Sequence, residues 1–251
     1  TVRSKMLLVT ASTMVALTVL ICAVSGVMLV GEIGAHEEDQ AGKPHKGNAV
    51  IKNELGWLAA TAGELARSRD VRALVEQGAA ELAAAGLDDS ALARLKLSFV
   101  ALYDAGANPV ARQAFNVNEG VRADFTEALD RDLRADETML RRGQGARPAG
   151  GLAVLGGRPY LVASWPVGDG ASSLATVVIG RAFDEDKLAE LASLILVPLS
   201  AYRIDYPQLP DDFRQALSGL SEREPTCVGP LSDASLAGYG LLSDFAETRR
   251  S

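Results

Sequence analysis

The stretch GGRPYLVASWPV, residues 156–167, places a Gly-Gly dipeptide between two short apolar runs, Gly151–Leu155 and Tyr160–Pro166. Two strands joined by so short a Gly-rich connection predict a tight hairpin. Ala175–Gly180 continues as a third strand. Asp184, Glu185 and Asp186 then mark the first turn of a helix running to about Val197, where acidic side chains complement the helix dipole.

Working outward from this hairpin, Leu97, Phe99, Ala101 and Tyr103 alternate with Ser98, Val100 and Leu102, the period of a strand. Asp104-Ala105-Gly106-Ala107-Asn108-Pro109 is dense in turn residues, and Val110–Phe115 returns as the second strand of another hairpin. Glu119–Arg142, charged and rich in Ala and Leu, reads as helix and is broken by Gly143–Gly151. Upstream, Ile51, Leu55, Leu58, Ala62 and Leu65 step by four, three, four and three, one apolar stripe of a helix whose signal continues to Leu82 and stops at Gly86. Such a stripe suits either the domain's own core or a second copy of the chain, so a homodimer is one expectation. Tyr202–Tyr206 is a further strand, Asp211–Leu220 a short helix and Leu236–Leu242 a last strand. Helices flanking antiparallel hairpins make an α+β fold, with a central sheet of about five strands.

The N-terminus adds a second theme. Met6–Gly31, MLLVTASTMVALTVLICAVSGVMLVG, holds no Asp, Glu, Lys or Arg. A bilayer core takes about 20 mostly apolar helical residues, so this run predicts a transmembrane helix rather than the shorter apolar core of a cleaved signal peptide. Arg3 and Lys5 precede it, while Glu32, Glu37, Glu38 and Asp39 follow it. The positive-inside bias then leaves residues 1–5 in the cytoplasm, residues 32–47 as a juxtamembrane linker and residues 48–251 outside, a single-pass arrangement in an inner membrane with the main domain periplasmic. The chain starts at Thr1 and no second span follows Gly31, so it is expected to be part of a longer protein.

Composition narrows the function. With Arg3 and Lys5 set aside, 23 basic residues face 32 acidic ones and no basic stripe is present, which speaks against a nucleic-acid partner. Cys22 lies in the apolar run and Cys227 stands alone outside it, so no internal disulfide staples the exported part. The two histidines, His36 and His45, both fall in the linker, whereas nucleophilic catalysis by Ser or Cys normally needs a His base. No catalytic set, metal site or cofactor is expected, and Asp124, Glu127, Asp130 and Asp132 read as a solvated helical face.

Aromatic and arginine side chains on the sheet are the candidate ligand contacts: Tyr103, Arg158, Tyr160, Trp165 and Arg181, with Tyr239 on the last strand. An arginine fork matches a carboxylate, and aromatic rings supply apolar walls. The expected ligand is a small organic anion or amino-acid-like molecule held by Arg181 or Arg158 beside Tyr103 or Tyr160. Tyr160 and Trp165, an odd number of residues apart, face opposite sides of a regular strand. Arg181 has an alternative use as an ion-pair partner of Asp184 or Asp186.

Four segments resemble the periplasmic sensor domain called CHASE, type four: Gly86-Leu87-Asp88 closing a helix; FVALYDAG, Phe99–Gly106; GGRPYLVASWPV, Gly156–Val167, with TVVIGRAFDED, Thr176–Asp186; and CVGPLSDASLAGYGLLSDF, Cys227–Phe245. The resemblance covers roughly residues 48 to 245. It implies a PAS/Cache-like sensor domain with a long N-terminal helix, placed after a membrane helix. It further implies that a small-molecule or envelope signal controls a cytoplasmic cyclase, phosphodiesterase or histidine kinase beyond this chain. The residues shown are then not an enzyme. The alternative reading is a singly anchored periplasmic interaction or scaffold protein.

Overall fold

The computed structural model of the protein describes residues 28–35, 46–78, 81–140, 148–168, 173–204, 206–221, 226–232 and 235–242. The chain divides into two compact units. One runs from Ala49 to Phe183, and the other combines described residues up to Asn48 with Asp184–Leu242.

The unit from Ala49 to Phe183 is built on a six-stranded sheet. Its strands are β2 (Phe99–Asp104), β3 (Pro109–Asn116), β4 (Val121–Ala123), β5 (Ala149–Leu155), β6 (Arg158–Val167) and β7 (Ala175–Ala182), in the order β4-β3-β2-β7-β6-β5. Every neighbouring pair is antiparallel. The predicted hairpins are present. β5 and β6 meet at Gly156–Gly157, with Leu155 opposite Arg158. The β2–β3 turn is closed by the Asp104 carboxylate, whose Oδ1 accepts from the amides of Gly106 (2.7 Å) and Asn108 (2.8 Å). Phe99 lies opposite Gly180 in the β2–β7 pair, and its ring occupies the space above that glycine: a Cβ there would stand 2.1 Å from Phe99 Cε1.

The long helical signal resolves into shorter pieces. α1 (Lys46–Arg67) ends at Ser68, which turns extended and caps α2 (Arg69–Gln77) by accepting the Asp70 amide on its hydroxyl. A serine side chain in that role satisfies a donor that the first helical turn leaves free. A 3-10 turn, Leu82–Ala85, follows, and Gly86 closes it. α3 (Asp89–Arg94) is capped by Asp88, whose carboxylate is held below its ordinary pKa chiefly by the Ala91 amide and the Ser90 hydroxyl. The expected helix over Glu119–Arg142 is corrected to strand β4 and a shorter α4 (Glu127–Ala135), which Thr126 caps. Gly120 takes a left-handed conformation, φ 69°, and turns Val121–Ala123 back along β3 before any helix begins.

The stripe on α1 belongs largely to the monomer: Ile51, Leu58 and Ala62 are fully buried, while Leu55 and Leu65 are half-buried. Of the two uses expected for the stripe, the domain's own core accounts for Ile51, Leu58 and Ala62.

The other unit holds a four-stranded antiparallel sheet. In it the strand expected at Tyr202–Tyr206 runs instead from Leu199 to Arg203 and that expected at Leu236–Leu242 is present, joined by two strands the sequence does not announce. β1 (Met28–Ala35), β8 (Leu199–Arg203), β9 (Thr226–Ser232) and β10 (Ser235–Leu242) are ordered β8-β1-β10-β9. α5 (Glu185–Ile195), capped by Asp184, and α6 (Asp211–Leu217) accompany it. Met28–Gly31, read as the end of a membrane helix, and Glu32–Ala35, read as linker, pair along their whole length with β10. An apolar run without charges does not by periodicity distinguish a buried strand from a helix, and here pairing with β10 and β8 decides it. The rest of the apolar run, and both histidines, lie outside the described residues. Among the described residues no helix is long and apolar enough to cross a membrane.

Candidate functional site

The register of the six-stranded sheet sorts the candidate residues onto two faces. Trp165 lies opposite Val177 and Tyr160 opposite Ala182, so Val177, Ile179, Arg181 and Trp165 share one face. Phe99, Ala101, Tyr103, Val178, Tyr160 and Val162 share the other. Arg181 therefore lies on the face opposite the two tyrosines, whereas Arg158 and Tyr160, two residues apart on β6, share a face.

On the first face, Arg181 is buried and committed to the protein itself. Its Nε donates to the carbonyl of Lys96 and its Nη2 to that of Leu95, both at 2.8 Å. Its Nη1 donates to Glu54 of α1 in an ion pair, and the guanidinium carbon lies 4.5 Å from the centroid of the Trp57 ring. Leu95 and Lys96 follow α3, where carbonyls run out of helical partners, so one guanidinium caps a helix end and holds α1 to β7. The ion-pair partner is thus Glu54, in place of the Asp184 or Asp186 considered from sequence. Farther along α1, Arg67 lies 4.8 Å over the Trp165 ring. A Cβ at Gly63 would sit 3.2 Å from that ring, so glycine brings the helix backbone down onto the tryptophan.

The opposite face carries α4. Leu129 and Leu133 pack with Phe99, Tyr103, Met139 and Leu140 in the main core. Between the two leucines, Asp130 is turned inward with a side chain only 5% exposed. Its Oδ1 accepts the Tyr103 hydroxyl at 2.9 Å, and it forms ion pairs with Arg112 (Nη1 3.0 Å from Oδ1) and Arg134 (Nη2 2.8 Å from Oδ2). Burial, then the hydrogen bond to Asp130 and its charge, push the Tyr103 phenol above its ordinary pKa. Asp130 is thus not part of a solvated face. The i,i+4 spacing of Asp130 and Arg134 beside an apolar pair is the sequence signal that marks it.

The remaining candidates are dispersed. Arg158 is exposed beside the Gly156–Gly157 turn, and Tyr160 is half-buried with its ring 5.4 Å from Phe99, edge to face. Tyr239 belongs to the other unit, where its hydroxyl donates to Asp212 at 2.9 Å and its ring meets Phe213 edge-on at 5.2 Å. Burial and then the Asp212 hydrogen bond raise its pKa. In that setting it is a core residue.

Comparison with known proteins adds three observations. The CHASE4 domain profile matches residues 50–202, more than half of the chain. No curated protein matches the sequence. Similar solved structures include the periplasmic domain of LuxQ from Vibrio cholerae, at 10% identity and TM-score 0.44, covering 80% of this chain and 98% of that one. The E. coli DcuS sensor domain, at 14% identity and TM-score 0.38, covers 59% of this chain and 98% of its own. The sensor domain of the V. cholerae histidine kinase DctB matches at 12% identity and TM-score 0.39, over 79% and 93% of the two chains. On the extent of the profile match, this chain belongs to the CHASE4 family and is an extracytoplasmic sensory input module.

Proposed function

We propose that this chain is the periplasmic-facing part of a membrane receptor, anchored by the apolar run upstream of β1, and that α1 reports the state of the sheet to the rest of the molecule. Arg3 and Lys5 before that run favour a cytoplasmic N-terminus. The observation that carries the relay is the buried Arg181–Glu54 pair, which fixes the first long helix to the central strand β7. A signal shifts such a domain only through different affinity for two arrangements, and a helix docked by a few polar groups supplies two: docked and released. The receptor reading also includes a homodimer and a cytoplasmic output domain of the cyclase, phosphodiesterase or kinase class.

The test is topological. A reporter enzyme active only after export, fused after Gly47 or after Leu220, is expected to be active in cells. Activity of a cytoplasm-only reporter at either position contradicts the proposal.

A further inference from the structure

Arg112 and Arg134 converge on one carboxylate. Asp130 accepts the Tyr103 hydroxyl and is the shared counter-charge of Arg112 and Arg134, whereas each guanidinium carries five N–H donors. The two cations therefore exceed their shared anion in both charge and hydrogen-bonding capacity. They are also reachable: the Arg112 and Arg134 side chains are 41% and 46% exposed, while Asp130 beneath them is buried. Arg112 lies 5.6 Å over the half-buried ring of Phe125, which packs edge-on against Phe99 at 6.1 Å, so an apolar wall borders the pair. Elsewhere on α4, Arg131 pairs with Asp132, which also accepts the Gly156 amide, and Glu127 at the helix start is exposed.

We infer that Arg112 and Arg134 form a binding site for the carboxylate of a small organic anion, whose apolar part rests on Phe125. Asp130 and Tyr103 act as positioning residues that aim the two forks outward. Planar forks take a carboxylate bidentately, which selects it over a monatomic anion. The site lies on the sheet face opposite the Arg181 clasp, so the sheet stands between the ligand and α1. This inference rests on the sensory reading above and names the ligand class.

The test uses the full chain in detergent micelles, titrated with propionate, succinate, inorganic phosphate and sodium chloride at matched ionic strength. At least one of the two carboxylates is expected to raise the melting temperature beyond the chloride control. Arg112→Gln and Arg134→Gln are each expected to weaken that carboxylate at least tenfold. Some fall in the unliganded melting temperature is expected too, because buried Asp130 loses a counter-charge, so binding is compared at a temperature where every variant is folded. Should a glutamine variant fail to fold, Arg112→Lys keeps the charge and loses the fork, and is expected to weaken binding several-fold. Stabilisation by phosphate alone, no stabilisation by either carboxylate, or variants that bind as wild type would each overturn the site. Export of the reporter fusions together with a failed titration removes the site and leaves the receptor reading in place. A failed export assay removes the receptor reading whatever the titration shows.

Discussion

Glu54 and Arg181, 127 residues apart in the chain, form a buried ion pair that fastens α1 to the central strand of the main sheet. Removing one partner of such a pair leaves the other charge with less compensation, a loss of up to about 3–5 kcal/mol for a buried pair, whereas removing both removes the charges together. Glu54→Gln and Arg181→Met are each expected to destabilise the chain clearly in urea unfolding. The double variant is expected to lose less than the sum of the two, by about 0.5–3 kcal/mol. Strict additivity contradicts a direct coupling.

Two glycines in α1 make opposite predictions. Replacing a glycine in a helix interior by alanine ordinarily gains up to about 1 kcal/mol. At Gly56 nothing lies within 4 Å of an added Cβ, so Gly56→Ala is expected to raise the melting temperature. At Gly63 the same methyl meets the Trp165 ring at 3.2 Å and Arg67 Nη1 at 3.1 Å, so Gly63→Ala is expected to lower it. Equal effects at both positions would mean that α1 does not rest on Trp165.

The burial of Leu58 separates core from interface. Leu58→Ala leaves a cavity in the monomer and is expected to destabilise it by about 2–5 kcal/mol, read as a lower urea midpoint at every protein concentration. A midpoint that falls only at low concentration would place Leu58 between two chains instead.

The Tyr103–Asp130 bond predicts an alkaline limit. The folded pKa of Tyr103 lies above its unfolded value of 10.0, so the folded chain keeps this proton at a pH where the unfolded chain has lost it. The corresponding stability is intact below about pH 10 and is lost as the pH rises further. Tyr239 shifts the same way, so Tyr103→Phe is expected to flatten the loss above pH 10 without abolishing it. A profile that superimposes on wild type contradicts the hydrogen bond as the cause.

How much of this was legible depended on whether the decisive contact was local. The hairpins at Gly156–Gly157 and Asp104–Pro109 were readable because turn chemistry and alternation lie within a few residues, and the Asp184 cap for the same reason. The faces of Tyr160 and Trp165 followed from strand period alone. Strand β1 was not readable, because pairing with residues some 200 positions away overrides a run whose composition also suits a helix. The role of Arg181 was hidden likewise: Glu54, Leu95 and Lys96 converge on it only in the fold, and its neighbours Asp184 and Asp186 were the local decoys. A charge count along α4 does not mark Asp130, because its burial depends on sharing a face with Leu129 and Leu133.

The relay itself is tested most directly by amide hydrogen exchange along the full chain in micelles, comparing wild type with Glu54→Gln. If α1 is docked through the Arg181 clasp, its amides between residues 50 and 67 exchange at least tenfold faster in the variant, while those of β2, β6 and β7 keep their wild-type protection. Unchanged exchange in α1, or an equal rise in α1 and the sheet strands, would contradict a helix that can be released from an intact sheet.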